Sequence, residues 1–315
     1  MIRYACRRLF QAIPLLLIVS ALVFGLLHAV PGGPLAVFLA NPNVRPQDIE
    51  RLRHALGLDR PLWAQYLAWL AAFVRGDWGF SYADGRPVLA RIVERLPATL
   101  ELISASLVLG AAIALPVGIL GAVRRHGWFD RITTALAFAG ISLPVFWLGL
   151  VLQLLFAVTL AWLPSSGRAS FGGGDLIDRV EHLVLPATVL ALVHAAAWSR
   201  YLRASMAGVL EQPFITAARA RGVPPSALLL RHALRNAIVP VLTIVMLDAA
   251  IMVSGAVVTE SVFAWPGVGS LFTEALGRRD YTVLMAFLML SSSAVVVLNL
   301  AADLFYRALD PRIEL

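Results

Sequence analysis

The chain lacks lysine entirely, because all 26 basic residues among its 315 positions are arginine. A Walker-type ATP site and a Schiff-base mechanism each depend on a lysine, so the sequence excludes both. The chain also has a single cysteine, Cys6, which excludes an intramolecular disulfide and argues against a structural zinc site. We therefore expect that the chain binds no cofactor or metal and does not itself hydrolyse ATP.

Charged residues are scarce as well. They make up 14% of the sequence against 59% hydrophobic residues, whereas soluble domains usually carry about 25% charged residues. The net charge of +7 could suggest nucleic acid, but a nucleic-acid binder concentrates its basic residues on a soluble face. Here the arginines flank apolar runs, so we expect the lipid bilayer as the surrounding medium and no nucleic-acid partner.

Six apolar runs are long enough to cross a hydrocarbon core of about 30 Å, which takes about 20 helical residues. They are roughly 9–29, 97–123, 132–163, 182–198, 238–259 and 283–306. The third run contains Pro144, which favours one kinked, tilted helix over two spans. The first run could be a signal peptide, but no cleavage site ends it before "PGGP", which favours an uncleaved anchor. The sequence thus predicts an all-α integral membrane protein with about six transmembrane helices.

The arginine distribution predicts the orientation of these spans. The two ends and the loops around 124–131 and 200–235 hold 14 arginines against four acidic residues, whereas the other loops hold 12 of each. Basic loops stay on the cytoplasmic side. With an even number of spans, both termini are therefore expected in the cytoplasm of a multi-pass protein.

Three parts of the chain follow from this topology. Residues 1–30 form the cytoplasmic N-terminus and the first helix, and residues 97–315 form the core transmembrane domain with a cytoplasmic segment at 200–237. Between them, residues 31–96 form an extracytoplasmic segment with apolar residues at helical spacing. Interleaved Trp and Tyr residues are typical of membrane interfaces, so we predict one or two amphipathic helices there.

The cytoplasmic segment contains two predicted short helices. "PFITAARARG" begins at Pro213 and ends at Gly222, because Pro suits a first helical turn and Gly suits the left-handed residue after the last one. "PPSALLLRHALRNAIVP" begins the second. Small side chains at Ala217 and Ala218 would let a partner approach closely, and nearby arginines could reach its rim. Periodicity alone slightly favours another explanation, a surface helix that places its arginines at lipid headgroups.

The chain resembles the permease subunits of ABC importers, in the branch that serves dipeptides, oligopeptides and nickel. The resemblance covers nearly the whole sequence, from "RRLFQAIPLLLIVSALVFGLLHAVPGGP" through "LGLDRPLWAQYLAWL", "GDWGFS", "RLPATLEL", "SLPVFWLGL" and "WLPSSG". Its most specific motifs are "RHALRNAIVP" and "TESVFAWPGVGSL". The resemblance implies the transmembrane architecture of a type I ABC importer in a bacterial inner membrane.

Such families carry a cytoplasmic Glu-Ala-Ala motif followed by three variable residues and Gly. Here the motif falls on Thr216, Ala217, Ala218 and Gly222, so threonine replaces the glutamate. The distance from Gly222 to Pro240 is longer than in the general motif and is similar to the peptide branch. By resemblance, this segment is the coupling helix that sits in a cleft on an ATPase subunit. The implied ATPase-coupling residues are Phe214, Thr216, Ala217, Ala218, Arg219, Arg221 and Gly222.

The resemblance also implies the partners. ATP and Mg would bind to two separate ATPase subunits, a second homologous permease would complete a heterodimer, and an extracytoplasmic binding protein would deliver the solute. The chain itself would be a transport subunit and not an enzyme. Peptides lead as the solute, while nickel, glutathione and other small solutes stay open.

Polar residues inside the spans are candidates for the translocation path, because a charge at mid-bilayer costs about 2.5 to 3.5 kcal/mol on insertion scales. Asp248 lies near the middle of the fifth span, and either path lining or a structural hydrogen bond to another span would explain it. We also assign Ser254 and Glu260 to the path. Glu101 and Asp303 lie near span ends, where water or headgroups can reach them.

Two other classes of function fit less well. A secondary transporter driven by an ion gradient would be expected to show a complete internal repeat and several paired mid-membrane charges. The sequence offers one convincing mid-span acid, Asp248. An intramembrane enzyme would need a recognisable catalytic motif, and neither Gly-x-Ser-x-Gly nor His-Glu-x-x-His occurs.

Overall fold

A computed structural model describes residues 2–31, 33–35, 39, 44–170 and 172–309. Within them, the side chains at 2–6, 9, 253–255 and 305–309 are not described. Regular structure in these residues is helical, apart from an isolated β-bridge between Phe80 and Pro87. The chain divides into two compact units, Met1–Thr99 with Pro266–Val296 and Leu100–Trp265 with Val297–Leu315.

The first unit contains the N-terminal helix α1 (Ile2–Ala29), the shorter helices α2 (Pro46–Ala55) and α3 (Leu62–Val74), and α11 (Val268–Arg278). The two helices α2 and α3 form in the segment where one or two were predicted. The α3 helix packs on α1 through Tyr66, whose hydroxyl lies 2.8 Å from that of Ser20. Phe24, Trp69 and Phe73 extend this contact into a continuous row of aromatic rings.

The second unit is organised around the long helix α7 (Leu176–Leu210). It packs against α5 (Trp128–Ser142), α6 (Val145–Leu152) and α10 (Leu234–Val262). The short helix α8 (Pro213–Ala220) follows α7, and a single turn, α9 (Pro225–Ala227), leads through a π-helical segment into α10. The boundary between the units falls inside α4 (Val88–Val123) and inside α12 (Tyr281–Leu309).

Five helical stretches of the described chain are long and apolar enough to cross a membrane. They are Phe10–Ala29, Val88–Val123, Leu176–Leu210, Pro225–Met252 and Tyr281–Leu304. A sixth element joins α5 to the stretch Val145–Thr159 across a bend of 106°. Counting this bent pair as one span gives six, which confirms the prediction of about six transmembrane helices.

The third apolar run was predicted to be one kinked helix. In the structure it is broken into two helices. The α5 helix ends at Ser142, Leu143 is extended, and Pro144 caps the start of α6. A residue before proline is pushed out of the helical region by the proline ring, and proline has no N–H to continue the ladder. Both effects act at the same point, so the helix is interrupted there instead of curving continuously.

The helix α4 packs closely on α7 because two of its glycines leave room. A Cβ atom on Gly110 would lie 2.8 Å from a ring carbon of Trp198, and one on Gly118 would lie 2.9 Å from the carbonyl oxygen of Ser199. Small residues at helix interfaces allow backbones to approach in membranes, where packing replaces the hydrophobic effect. This close approach fixes Trp198, which is 1% exposed, inside the second unit.

Candidate functional site

The short helix α8 is bounded by local signals in its sequence. Pro213 occupies its first turn, where no backbone N–H is needed. At its other end Gly222 takes φ +79°, the left-handed conformation that glycine adopts without strain. The N–H groups of Gly222 and Val223 then donate to the carbonyls of Arg219 (3.0 Å) and Ala218 (3.2 Å). This is a Schellman-type ending, so the predicted bounds of the helix are confirmed.

One face of α8 is anchored in the second unit. Ile215 and Ala218, three residues apart and hence on the same face of the helix, are both buried. They belong to an apolar cluster with residues of α4, α7 and α10, including Ala122, Leu202, Met206, Ala237 and Val241. Val223 also packs against this cluster. The buried face of α8 therefore shares one apolar cluster with three long helices.

The other face of α8 is exposed. Phe214 is 43% exposed, and Thr216, Ala217, Arg219, Arg221 and Gly222 are exposed as well. Aromatic and arginine side chains are enriched at protein interfaces. We call the face formed by Phe214, Thr216, Ala217, Arg219, Arg221 and Gly222 the α8 surface.

The prediction that Ala218 presents a small side chain to a partner is wrong. It is 1% exposed and points into the apolar cluster. The reason is its spacing of three residues from Ile215, since an alanine on the buried side of a short helix lets that helix approach the core. Ala217, on the opposite side, remains exposed.

Asp248 is held by two side chains of α7. Its Oδ2 accepts a hydrogen bond of 2.6 Å from the indole Nε1 of Trp198 and lies 3.4 Å from Nδ1 of His194. The structural hydrogen bond between spans, one of the two explanations left open by the sequence, is present, and path lining stays a prediction. The bonds satisfy a polar group that would otherwise be expensive at membrane depth.

The remaining two residues assigned to the translocation path are placed differently. Glu260 lies in the last turns of α10 and is 0% exposed, so its side chain lines no open surface of the second unit. Its carbonyl oxygen accepts a bond from the N–H of Trp265, 2.8 Å away, which closes the turn after α10. The side chain of Ser254 lies outside the described part of the structure.

Two ion pairs of the second unit were missed by sequence reasoning. Glu101 accepts two bonds from Arg168, at 2.9 and 2.5 Å, and so has a specific partner where water or headgroups were expected. Asp130 binds Arg203 across 73 residues of sequence. No local spacing signals such pairs, because the helices that carry them meet only in the folded chain. The glycines on α4 were detectable, since two small residues eight apart mark a packing face.

A buried polar cluster lies in the first unit, around the loop that precedes α4. Ser81 donates to a carboxylate oxygen of Asp280 at 2.5 Å, and Arg91 donates to Ser81 at 3.0 Å. Burial, with a contribution from the Asp280 charge, raises the pKa of Tyr82 from 10.0 to about 12. The cluster ties the loop before α4 to the turn between α11 and α12.

The geometry defines a helical membrane subunit with a short helix whose exposed face leaves room for a partner. Known structures share this fold. The structure resembles a subunit of the MetNI methionine ABC transporter with a TM-score of 0.58 at 23% identity, covering 71% of this chain and 98% of that one. A structure of an amino acid ABC transporter with histidines gives a TM-score of 0.52 at 15% identity, covering 70% of this chain and 94% of that one.

Two family descriptions match the sequence. "Binding-protein-dependent transport system inner membrane component" matches residues 114–315, and the corresponding N-terminal description matches residues 1–103. The chain therefore belongs to the family of binding-protein-dependent transport system inner membrane components. It is a multi-pass permease subunit of an ABC importer, as its sequence motifs predict.

Named relatives match over their whole length. The oligopeptide transport system permease protein AppB of Bacillus subtilis is 40% identical over 100% of both chains. The glutathione transport system permease protein GsiC of Escherichia coli is 39% identical over 100% of this chain and 99% of its own. The dipeptide transport system permease protein DppB of Escherichia coli is 36% identical with the same coverage.

Proposed function

We propose that the chain forms the translocation path for a peptide-like solute. The proposal is supported by the full-length relatives, whose names specify oligopeptides, dipeptides and glutathione. These solutes share peptide bonds and zwitterionic termini, so peptide chemistry is what the three have in common. A short peptide is therefore the expected cargo, with glutathione as the leading specific alternative.

We further propose that two ATPase subunits drive this permease by docking on the α8 surface. The observation that carries the proposal is the division of α8 into a buried face, fixed by Ile215 and Ala218, and an exposed face with Ala217 at its centre. Because the chain has no lysine, a Walker site must be supplied by another subunit. ATP-driven movement of that subunit would then reach α4, α7 and α10 through the apolar cluster.

The remaining partners follow from the same assignment. A second, homologous permease would complete the path as a heterodimer, and an extracytoplasmic binding protein would deliver the solute. The arginine asymmetry supports a cytoplasmic position for both termini and for the 200–237 segment. The α8 surface would then face the compartment that holds ATP.

Uptake into proteoliposomes tests the proposal. The complex purified from native membranes would be reconstituted with ATP inside and its binding protein outside, and labelled dipeptide, pentapeptide, glutathione and nickel would be offered separately. We expect ATP-dependent uptake of at least one peptide, and loss of that uptake in Ala217→Glu. ATP-dependent uptake of nickel alone would contradict the peptide assignment, and uptake that needs an ion gradient and no ATP would contradict the importer mechanism.

A further inference from the structure

The turn between α4 and α5 is held by an ion pair whose carboxylate, that of Asp130, is buried and whose Arg203 side chain is about one-third exposed. His126, in this turn, has a left-handed backbone with φ 65°, which a residue with a side chain adopts only at a cost. Its N–H donates to Oδ2 of Asp130, 2.9 Å away. Asp130 is 3% exposed. The carboxylate therefore fixes the conformation of the turn that precedes its own helix.

Arg203 of α7 donates hydrogen bonds from two nitrogens to the same carboxylate. Its Nη2 donates to Oδ2 at 2.7 Å, and its Nε donates to Oδ1. A two-nitrogen contact of this kind fixes orientation as well as distance. A Cβ atom on Gly121 would lie 3.4 Å from the Cδ of Arg203 and 3.6 Å from Oδ1 of Asp130. The pair thus lies where the ends of α4, α5 and α7 meet.

The turn and the α8 surface are linked through the end of α7. Leu202, next to Arg203, is fully buried in the apolar cluster that also anchors Ile215 and Ala218. On the outside, Arg125 of the turn forms a 2.9 Å ion pair with Glu211, two residues before α8 begins. Two ion pairs therefore join the same two segments, one with a buried carboxylate and one with both side chains exposed.

We propose that Asp130 and Arg203 are a positioning pair that makes the α4–α5 turn move with the α8 surface when the ATPase moves. The inference rests on the proposed function of that surface. Thr216 stands where the family motif has glutamate, so α8 itself lacks that charge. The pair gives the permease a second connection between the docking region and α5.

A purely stabilising role is the competing explanation. Buried ion pairs are weak evidence for stability, because removing both partners is often neutral while removing one leaves an uncompensated charge. The two roles therefore separate in a variant that removes both charges at once. In such a variant the N–H of His126 still loses its acceptor, so the turn is released although no buried charge is left unpaired.

The test compares solute transported per ATP hydrolysed in the reconstituted complex. Asp130→Asn and the double variant Asp130→Leu/Arg203→Met are measured beside Glu211→Gln, which removes the exposed pair between the same segments. We expect the first two to assemble with the ATPase and to hydrolyse ATP while the transport ratio falls at least about fivefold, the low end of typical coupling effects. Glu211→Gln should stay within about twofold, because exposed pairs contribute little.

The outcomes separate the inference from the proposed function. A double variant with the wild-type transport ratio would overturn the positioning role, whatever happens to Asp130→Asn alone. A drop in uptake and ATP hydrolysis by the same factor would also overturn it, since lost folded protein lowers both together. If Ala217→Glu still binds and couples the ATPase, the docking proposal itself fails, and that result does not depend on Asp130.

Discussion

The two candidate functional regions named from the sequence, the coupling segment and the middle of the fifth span, differ in the folded chain. On α8, Ala217 and Arg219 are exposed on a helix whose opposite face is fixed in the core. In the middle of the fifth span, Asp248 is already bound by Trp198 and His194. The two α8 residues are exposed on the surface of the described chain, whereas Asp248 has hydrogen-bonding partners within it.

The difference teaches that the position of a polar residue in a span does not make it part of a path. A carboxylate at membrane depth must be paired, hydrated or neutralised, and Asp248 is paired by the indole of a tryptophan that two helices hold in place. A more useful criterion for a functional surface is which of the candidate side chains remain exposed after their hydrogen bonds and contacts within the chain are taken into account. That criterion selects the α8 surface.

The largest expected effect on stability comes from comparing substitutions on the buried and exposed faces of α8. Ala218→Glu would put a carboxylate into the apolar cluster and should lower the free energy of unfolding by more than about 3 kcal/mol. Ala217→Glu, one residue away on the exposed face, should change it by less than about 0.5 kcal/mol. Thermal unfolding followed by tryptophan fluorescence in detergent would measure both, and equal effects would contradict the assignment of faces.

A pH effect of similar size extends the comparison to the first unit. Burial raises the pKa of Tyr82 to about 12, so the unfolded chain releases this proton near pH 10 while the folded chain keeps it. The resulting stabilisation is present below pH 10 and is lost as the pH rises towards 12, amounting to about 3 kcal/mol at 1.36 kcal/mol per pKa unit.

Tyr82→Phe provides the matched control for that effect. The variant should lose less stability than the wild type between pH 10 and 12, and its absorbance at 295 nm should lack the tyrosine component that titrates near pH 12. Identical pH profiles for the two proteins would show that Tyr82 is not buried beside Asp280.

A smaller effect on stability tests whether Asp248 serves as a hydrogen-bond acceptor within the chain or as part of the translocation path. Asp248→Ala leaves the Trp198 N–H without an acceptor and should cost about 1 to 2 kcal/mol, in the range of hydrogen bonds between membrane helices. Asp248→Asn keeps an acceptor oxygen and should be nearly neutral in both stability and uptake. A stable Asp248→Asn variant that no longer transports would contradict a purely structural role and support the prediction that Asp248 lines the translocation path.

The smallest effect concerns the pair of Glu101 and Arg168. Both side chains are about one-third exposed, so Glu101→Gln should lower stability by only about 0.5 to 1 kcal/mol. The pair of Arg86 and Glu94, whose side chains are more than half exposed, is the matched control, and Glu94→Gln should show no measurable change in unfolding temperature. A larger loss in the control than in Glu101→Gln would contradict the ranking by burial.

The sequence predicted the helical membrane class, the approximate spans and the bounds of α8, because hydropathy, proline and glycine act locally. It placed the start of α4 at residue 97, nine residues late. The first turns of that helix are amphipathic and are fixed by Val88 and Ile92, which are buried. Hydropathy over a span cannot detect a helical extension stabilised by contacts outside the bilayer.

Other features depended on contacts that no local pattern encodes. The partners of Asp248 lie 50 and 54 residues away, and those of Glu101 and Asp130 lie 67 and 73 residues away. The buried face of α8 was within reach of sequence reasoning, since Ile215 and Ala218 have helical spacing. The family motif drew attention to adjacent alanines instead, although adjacent residues point in different directions.

The most direct test of the account is whether an ATPase subunit binds through the α8 surface. Ala217→Glu is the cleanest probe, because Gly222→Arg would also strain a left-handed backbone position and Ala218→Glu would disturb the core. The chain would be tagged at its C-terminus, extracted from native membranes in mild detergent, and compared with Ala217→Glu and with Ala55→Glu, an exposed control on α2.

We predict that the wild type and Ala55→Glu recover an ATPase subunit and a second permease. Ala217→Glu, equally folded, should lose the ATPase by at least about tenfold, which corresponds to 1.4 kcal/mol of binding free energy. Recovery of the ATPase at wild-type levels with folded Ala217→Glu would contradict the central claim that the α8 surface is where the driving subunit docks.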